Sequence, residues 1–253
     1  MAIALITGAT AGFGKATALK FAQHGWDVII TGRRKQRLDL LEREIKDTYE
    51  TGVFTLEFDV RNNSEVTAAL QSLPHEWKKI DLLVNNAGLA AGLATIQEGS
   101  LSDWETMIDT NVKGLLYVSK VVIPWMIEKG TGHIINIGSI AGKEAYAKGN
   151  VYCATKHAVD ALSKSMRIDL LPHGIKVTAI NPGAAETEFS LVRFHGDAEK
   201  AAQVYKGYEP LRAEDIADVI YFAASRPKHV VLNDIIITPL AQANTANFFK
   251  QST

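Results

Sequence analysis

The stretch TGATAGFG, Thr7 to Gly14, follows a continuously apolar run at Ile3–Thr7 and opens a helical pattern. Its glycines are Gly8, Gly12 and Gly14, in the spacing G-x-x-x-G-x-G. Glycine allows positive φ angles and a close approach of the backbone to a ligand. The amides of the helix that follows can then face an anion such as a pyrophosphate. The alternative is a tight turn without a ligand, but a position between a first strand and a first helix favours a phosphate loop.

Apolar runs alternate with helical patterns along the rest of the chain. The continuously apolar runs (ALIT, VIIT, LLVN and IINI) are typical of parallel strands that are covered on both faces. The pattern predicts strands at Ile3–Thr7, Asp27–Thr31, Val53–Phe58, Leu82–Asn85, His133–Gly138, Lys176–Ile180 and Asp234–Ile237. It predicts helices at Gly12–His24, Lys35–Thr48, Asn63–Leu73, Ser102–Glu128, Val151–Pro172 and Ala213–Ser225, with a bend or stop near Pro124.

This alternation predicts an α/β fold, a seven-stranded, mainly parallel, doubly wound sheet with helices on both faces. The 253 residues contain no repeat or Pro/Ser-rich linker, so we expect one domain over residues 1–253. The least regular region, residues 183–208, follows the sixth predicted strand. Because ligands of open α/β sheets bind beyond the carboxyl ends of the strands, this region is a candidate substrate loop.

The bulk properties narrow the class of protein. A net charge of −1 argues against a nucleic-acid partner. The uncharged N-terminus reaches turn residues after six positions, which is unlike a signal peptide or a membrane span. A single cysteine fits a reducing compartment, and we expect a cytoplasmic protein. The seven histidines show no metal-ligand spacing with acids, so no metal is expected.

The second predicted strand ends in VIITGRR, where the adenosine ribose of a bound dinucleotide would lie. An acidic residue there binds the ribose 2′-hydroxyl of NAD, and an arginine accommodates the 2′-phosphate of NADP. Arg33 and Arg34 stand at this point, and Asp39 is the first acid. A basic surface start of the next helix is the alternative, although cations are unfavourable near a helix N-terminus. The arginines favour NADP over NAD.

The polar motifs of the second half of the chain fall at predicted strand ends. NNAG, residues 85–88, follows the fourth strand, Ser139 ends the fifth, and NPG, residues 181–183, closes the sixth. Tyr152 and Lys156 are four residues apart on the next helix and therefore neighbours on its surface. A lysine ammonium beside a phenol lowers the pKa of the phenol, which would suit a proton donor near neutral pH. A surface Tyr/Lys pair is the alternative.

These motifs, in this order and spacing, resemble the short-chain dehydrogenase/reductase family over nearly the whole chain: TGATAGFG, Asp59–Val60, NNAG, Asn111 in DTNVKG, Ser139, Y-x-x-x-K and NPG. The resemblance implies a Rossmann-type fold and hydride transfer between a nicotinamide and a carbonyl/alcohol pair. It implies catalytic roles for Tyr152 as acid/base, Ser139 as hydrogen-bond partner of the substrate oxygen, Lys156 as cation and ribose ligand, and Asn111 in a water-mediated proton relay. The cofactor contacts are then expected at Gly8, Thr10, Gly12, Phe13, Gly14, Arg33, Arg34, Asp59, Val60, Asn86, Ala87, Gly88, Tyr152, Lys156, Pro182, Gly183 and Thr187.

A narrower resemblance is to bacterial NADP-dependent 3-hydroxy acid dehydrogenases, through GATAGFG, TGRR, DWETMIDTNVKG, GHIINIGS, GNVY and TEFSLVRFHGD. It implies a short hydroxy acid or its semialdehyde as the small-molecule substrate, bound at Ser139 and Tyr152. The carboxylate of such an acid calls for an arginine, and Arg193 is the candidate. The alternative is a surface ion pair of Arg193 with Glu188 or Asp197. Lys148 and Arg212 are weaker candidates.

Other interpretations remain open at this point. A carbonyl reductase of ketones, ketoesters or sugars could use the same residues, and so could a non-catalytic NADP-binding regulator if the catalytic residues were lost. The resemblance implies a homotetramer, or a homodimer, and Phe248 and Phe249 could dock on a neighbouring subunit or fray. Ala184 and Ala185 follow NPG, where the 3-hydroxy acid dehydrogenases usually have bulkier aliphatic residues. The smaller side chains could widen the pocket near the nicotinamide. Cys153 is expected to be a packing residue rather than a redox group.

Overall fold

The computed structural model of the protein describes residues 1–251 and contains one seven-stranded parallel sheet in the order β3-β2-β1-β4-β5-β6-β7. The strands are β1 (Ile3–Ile6), β2 (Asp27–Gly32), β3 (Val53–Glu57), β4 (Leu82–Asn85), β5 (Gly132–Ile137), β6 (Ile175–Pro182) and β7 (Asp234–Ile237). The α-helices are α1 (Gly12–Gln23), α2 (Lys35–Thr48), α3 (Asn63–Gln71), α4 (Leu101–Ile108), α5 (Leu115–Lys129), α6 (Asn150–Leu170), α7 (Glu188–Arg193), α8 (Ala198–Gln203) and α9 (Ala213–Ala224). The predicted doubly wound α/β fold is confirmed.

The sheet is covered on both faces by two separate apolar cores. Alternate residues of one strand point to opposite faces, so Ile6 joins one core and Leu5 the other. The first core contains Phe21 of α1 and Ile216 of α9, and the second contains Met126 of α5. Burial on both faces explains why the strand sequences are continuously apolar. Within residues 1–251, no helix has the length and apolar character needed to cross a membrane.

The long helix predicted at Ser102–Glu128 is interrupted. It divides into α4 and α5, which are joined by a π-helical turn at Asp109–Gly114 that contains Asn111. π-Helical turns are rare and are found mostly at functional sites. The chain is close-packed here, since a Cβ atom on Gly114 would lie 2.8 Å from Val60 Cγ2. Pro124 does not end the helix, because α5 continues to Lys129.

The region 183–208 contains two short helices, α7 and α8, beyond the carboxyl end of β6. It is braced by the C-terminal segment of the same chain. The ring of Phe248 lies 5.2 Å from that of Tyr208, and the amide of Gln251 donates a 2.8 Å hydrogen bond to the carbonyl of Gly207. Phe248 therefore has a partner within its own chain, whereas Phe249 is exposed.

Candidate active site

The glycine loop after β1 forms a cradle in which side chains have no room. Gly8 has a φ of +68°, and a Cβ on it would lie 3.0 Å from the Cα of Ala87. A Cβ on Gly14 would lie 2.4 Å from the carbonyl oxygen of Gly8. Gly12 has a φ of +50° and faces Thr187, which precedes α7. Because Gly8, Gly12 and the start of α1 line a large cavity, the loop fits a dinucleotide pyrophosphate.

Two arginines, Arg33 and Arg34, follow β2, and their guanidinium groups make different numbers of hydrogen bonds. Arg34 donates to Thr10 Oγ1 from Nε at 3.1 Å and from Nη2 at 2.8 Å, and its Nη1 lies 2.9 Å from a carboxylate oxygen of Glu188. Among residues 1–251, the one polar contact of the Arg33 side chain is at 3.4 Å from Asp59, whose carboxylate accepts from Arg61 at 2.7 Å. Of the two, Arg33 is thus the more available to a phosphate.

A cavity of about 510 Å³ extends from these arginines to Tyr152. Every expected cofactor residue lines it except Gly14, and Ser139 and Arg193 line it as well. Asn111 does not line the cavity. Among residues 1–251, no group of three or more histidine, cysteine or acidic side chains could hold a metal ion.

Ser139 and Tyr152 lie together at the buried end of this cavity. The Ser139 hydroxyl caps the short turn that follows β5, since its Oγ accepts from the amide of Ala141 at 3.1 Å. It also donates to the carbonyl of Pro182, at the end of β6, at 3.4 Å. Burial raises the pKa of Tyr152 to about 12, although the charge of Arg193 and the Ser139 hydroxyl oppose this rise. The phenol is therefore protonated at neutral pH.

Lys156 is buried one turn of α6 beyond Tyr152, and its Nζ donates to the carbonyl of Ile137 at 2.9 Å. Its Nζ is 5.9 Å from the centre of the Tyr152 ring. Burial lowers the pKa of Lys156 to about 8. The expectation that Lys156 would lower the pKa of the phenol was wrong for the cofactor-free chain, because burial of the phenol raises its pKa and the opposing charge comes from Arg193.

The side chain of Asn111 joins three parts of the chain. Its Oδ1 accepts from the amide of Leu89 at 2.8 Å, and its Nδ2 donates to the carbonyl of Leu89 at 2.8 Å and to Thr155 Oγ1 at 3.0 Å. The π-helical turn is thereby connected to the segment after NNAG and to α6.

Arg193 lies over the ring of Tyr152. Its guanidinium carbon is 5.0 Å from the centre of the Tyr152 ring and 5.0 Å from that of Phe189. Its Nη2 donates to the hydroxyl of Tyr146 at 2.8 Å, and its Nε is buried without a hydrogen-bond partner among residues 1–251. The ion pairs with Glu188 or Asp197 are not observed, because Glu188 binds Arg34 and Arg37 and Asp197 binds Lys200.

The other basic candidates do not line the larger cavity. Lys148 has a positive φ of 65° and lines a second, much smaller cavity, to which Tyr152 and Arg193 also contribute. Arg212 pairs with Glu209 at the surface.

Sequence reasoning missed two residues of the cavity wall. Tyr146 lies in an irregular segment without periodicity, and Gln242 accepts a 2.8 Å hydrogen bond at its Oε1 from the amide of Ala184. Ala184 lines the cavity, and Cys153 packs in the core beside Tyr152.

The combination of a glycine cradle, a Ser/Tyr/Lys set and a parallel sheet defines a nucleotide-dependent oxidoreductase. The family model described as short chain dehydrogenase matches residues 2–196. The chain belongs to the short-chain dehydrogenase family, as its motifs predicted.

Named relatives are similar over almost the full chain. The NADP-dependent 3-hydroxy acid dehydrogenase of Salmonella typhi is 48% identical over 242 residues, which are 95% of this chain and 96% of the relative. Sulfoacetaldehyde reductase 2 of Chromohalobacter salexigens is 44% identical over 245 residues, 96% of each chain. The solved closed form of a serine dehydrogenase complexed with NADP+ superposes with a TM-score of 0.92 at 45% identity, and the match covers 99% of this chain and 100% of that one.

The buried ammonium of Lys156 predicts a gain in stability when it is removed. Its pKa of about 8 lies below the ordinary 10.5, so the unfolded chain binds more protons between these values and stability rises with pH through that window. Below pH 8 the full free-energy cost of burying the charged Lys156 is present. We expect Lys156→Met to raise the free energy of unfolding at pH 7 by about 1–3 kcal/mol, with the lost hydrogen bond to Ile137 offsetting part of the gain.

The measurement is thermal or denaturant unfolding of the cofactor-free protein from pH 7 to pH 10.5. The gain in the free energy of unfolding should shrink as the pH rises, because Lys156 of the wild type then loses its proton in both the folded and the unfolded state. Lys164→Met is the matched control, since that lysine is exposed and pairs with Asp160 on the same helix. A gain that does not vary with pH would contradict the assignment to a buried charge.

Proposed function

We propose that the protein is an NADP-dependent dehydrogenase that interconverts a short 3-hydroxy acid and its semialdehyde or keto form. One observation carries the substrate class: the Nε of Arg193 is buried beside Tyr152 without an acceptor among the described residues. A buried donor without a partner costs about 1–3 kcal/mol, and a substrate carboxylate would supply the missing acceptor. The Tyr146 hydroxyl, already 2.8 Å from Nη2, fixes the plane of the guanidinium.

When bound, NADP supplies the hydride acceptor for the alcohol, or in its reduced form the hydride donor for the carbonyl. In the reducing direction the oxygen of the carbonyl gains negative charge. The Ser139 hydroxyl and the Tyr152 phenol are donors at that oxygen and stabilise the developing charge. Tyr152 then gives its proton to the oxygen, and in the oxidising direction it takes the proton of the alcohol as a phenolate.

Two further residues support this proton transfer. We assign to the Lys156 ammonium the binding of the nicotinamide ribose. We assign to Asn111 the positioning of the Leu89 backbone and of α6 at one end of a water-mediated relay. Both assignments rest on the buried hydrogen bonds described above.

The proposed cofactor site extends along the cavity from the glycine cradle to NPG, and residues 183–208 form its lid. Arg33 is the proposed principal ligand of the 2′-phosphate. We also propose a homotetramer in the cytoplasm, supported by exposed apolar side chains on α4, α5 and α6, namely Leu101, Leu116 and Ile168. Light scattering, with 27.6 kDa as the mass of one chain, tests the assembly.

Replacement of Arg193 by alanine tests the substrate class. With 3-hydroxypropionate, L-serine, L-allo-threonine and D-threonine as substrates, we expect kcat/KM to fall roughly 10- to 100-fold, since a charge-assisted hydrogen bond contributes about 1.5–3 kcal/mol. Simple secondary alcohols, assayed in parallel, should be poor substrates of the wild type and should lose less activity than the acids, because for them the change removes only the effect of the Arg193 charge on the pKa of Tyr152. Arg212→Ala is the matched control, because Arg212 lies at the surface.

The outcomes of this panel separate the alternatives. Turnover of neutral alcohols alone, unchanged in Arg193→Ala, would contradict the hydroxy-acid proposal and indicate a general carbonyl reductase. A strong preference for 2-hydroxyethanesulfonate would move the substrate from carboxylates to sulfonates, with Arg193 as the anion ligand in both cases. Absence of turnover despite cofactor binding would indicate a regulator.

Replacement of Arg33 by alanine tests the cofactor proposal. Because the contact of the Arg33 guanidinium with Asp59 is long, at 3.4 Å, the guanidinium can turn to a phosphate at little cost. We expect the KM for NADP to rise by roughly 10-fold or more while the KM for NAD changes little. Steady-state kinetics with both cofactors gives this ratio. A wild type that prefers NAD, or an Arg33→Ala variant that retains its preference for NADP, would contradict the assignment.

A further inference from the structure

Glu188, the first residue of α7, is bound by two arginines from a distant part of the chain. Its Oε2 lies 2.9 Å from Arg34 Nη1 and its Oε1 lies 2.6 Å from Arg37 Nη1. Both arginines belong to the segment that begins α2, more than 150 positions earlier in the sequence. Partial burial alone would raise the pKa of Glu188, but the hydrogen bonds from the two arginines lower it below its usual value.

The short helix α7 carries this contact to the catalytic residues. Phe189, the next residue, packs its ring 5.6 Å from that of Tyr152, and Arg193 at the other end of the helix stands over the same ring at 5.0 Å. Thr187, just before α7, faces Gly12 of the glycine cradle. Because the helix has only six residues, movement of Glu188 would shift Phe189 and Arg193 as well.

The carboxylate of Glu188 is unexpected beside a proposed phosphate site. Near a 2′-phosphate it is repulsive, and it uses a donor of Arg34 that the phosphate could take. Arg34 has its remaining contacts on Thr10 of the glycine loop. Glu188 therefore connects the lid, through Arg34, to the loop that holds the pyrophosphate and, through Arg37, to the body of α2. Arg37 does not line the cavity.

We propose that Glu188 is a positioning residue that clasps the lid shut over the cofactor and sets Phe189 and Arg193 against Tyr152. The clasp consists of Glu188, Arg34 and Arg37. It couples two properties that would otherwise be independent, the rate at which the cofactor leaves and the recognition of the substrate anion. The second of these rests on the proposed function, whereas the first does not.

The test is the dissociation rate of NADPH, followed by stopped-flow fluorescence on the full chain without substrate. We expect Glu188→Gln and Arg37→Gln each to release NADPH about 3- to 10-fold faster. The double variant should be no faster than Glu188→Gln, since that change already removes the charge with which Arg37 pairs. Asp39→Asn is the matched control, because its 2.9 Å pair with Lys35 is exposed on α2 and does not reach the lid.

A second readout does not need the cofactor. In the cofactor-free protein, limited trypsin digestion within residues 183–208 should be faster for Glu188→Gln than for the wild type and Asp39→Asn, at equal melting temperature. With hydroxy acids, kcat/KM of Glu188→Gln should fall while the pH profile keeps its shape, because Tyr152 and Lys156 remain in place.

Unchanged NADPH release and unchanged digestion in Glu188→Gln would overturn the clasp. Slower release would overturn it as well, since it would mean that Glu188 acts mainly by repelling the 2′-phosphate. If the wild type binds NADPH but turns over no hydroxy acid, the proposed function fails while the release and digestion measurements still decide the clasp.

Discussion

The junction between β1 and β4 positions the whole site. The Thr7 hydroxyl accepts from the amides of Asn86 and Ala87 at 3.0 Å, and the Asn86 side chain donates to the carbonyls of Thr7 and Gly8 at 2.8 and 3.2 Å. These bonds hold the glycine loop against NNAG at the point where the strand order reverses. At this point the crevice of a doubly wound sheet opens. The other motifs then reach the same edge, because all strands are parallel.

The chemistry beyond this junction depends on charge that the fold buries at a cost. Within residues 1–251, Lys156 is buried with one hydrogen bond, to Ile137, and the Nε of Arg193 has no acceptor. Both features destabilise the cofactor-free chain, and in the proposed function both groups bind a ligand. The rest of the fold compensates for this loss of stability. The two apolar cores and the hydrogen bonds of Asn111 contribute to that compensation.

Much of this was predictable from local sequence. The continuous apolar strands gave the parallel sheet, and the order of the motifs gave the family, which the match over residues 2–196 confirmed. The relatives' names agree with the predicted cofactor and substrate class. What was not predictable depends on contacts between distant residues. The π-helical turn has no sequence period of its own, Tyr146 lies in an irregular segment, and the pairing of Glu188 with Arg34 joins positions 154 apart. The pKa of Tyr152 depends on burial, which spacing alone does not give.

We propose that one cavity places the substrate hydroxyl at Tyr152 and the substrate anion at Arg193. A crystal structure of the protein with NADP and a 3-hydroxy acid would show both contacts. We expect the substrate hydroxyl within hydrogen-bond distance of both Tyr152 and Ser139, and the carboxylate on Arg193, with Nε donating to it. A carboxylate that points to solvent or binds Lys250, with the Nε of Arg193 still unpaired, would contradict it.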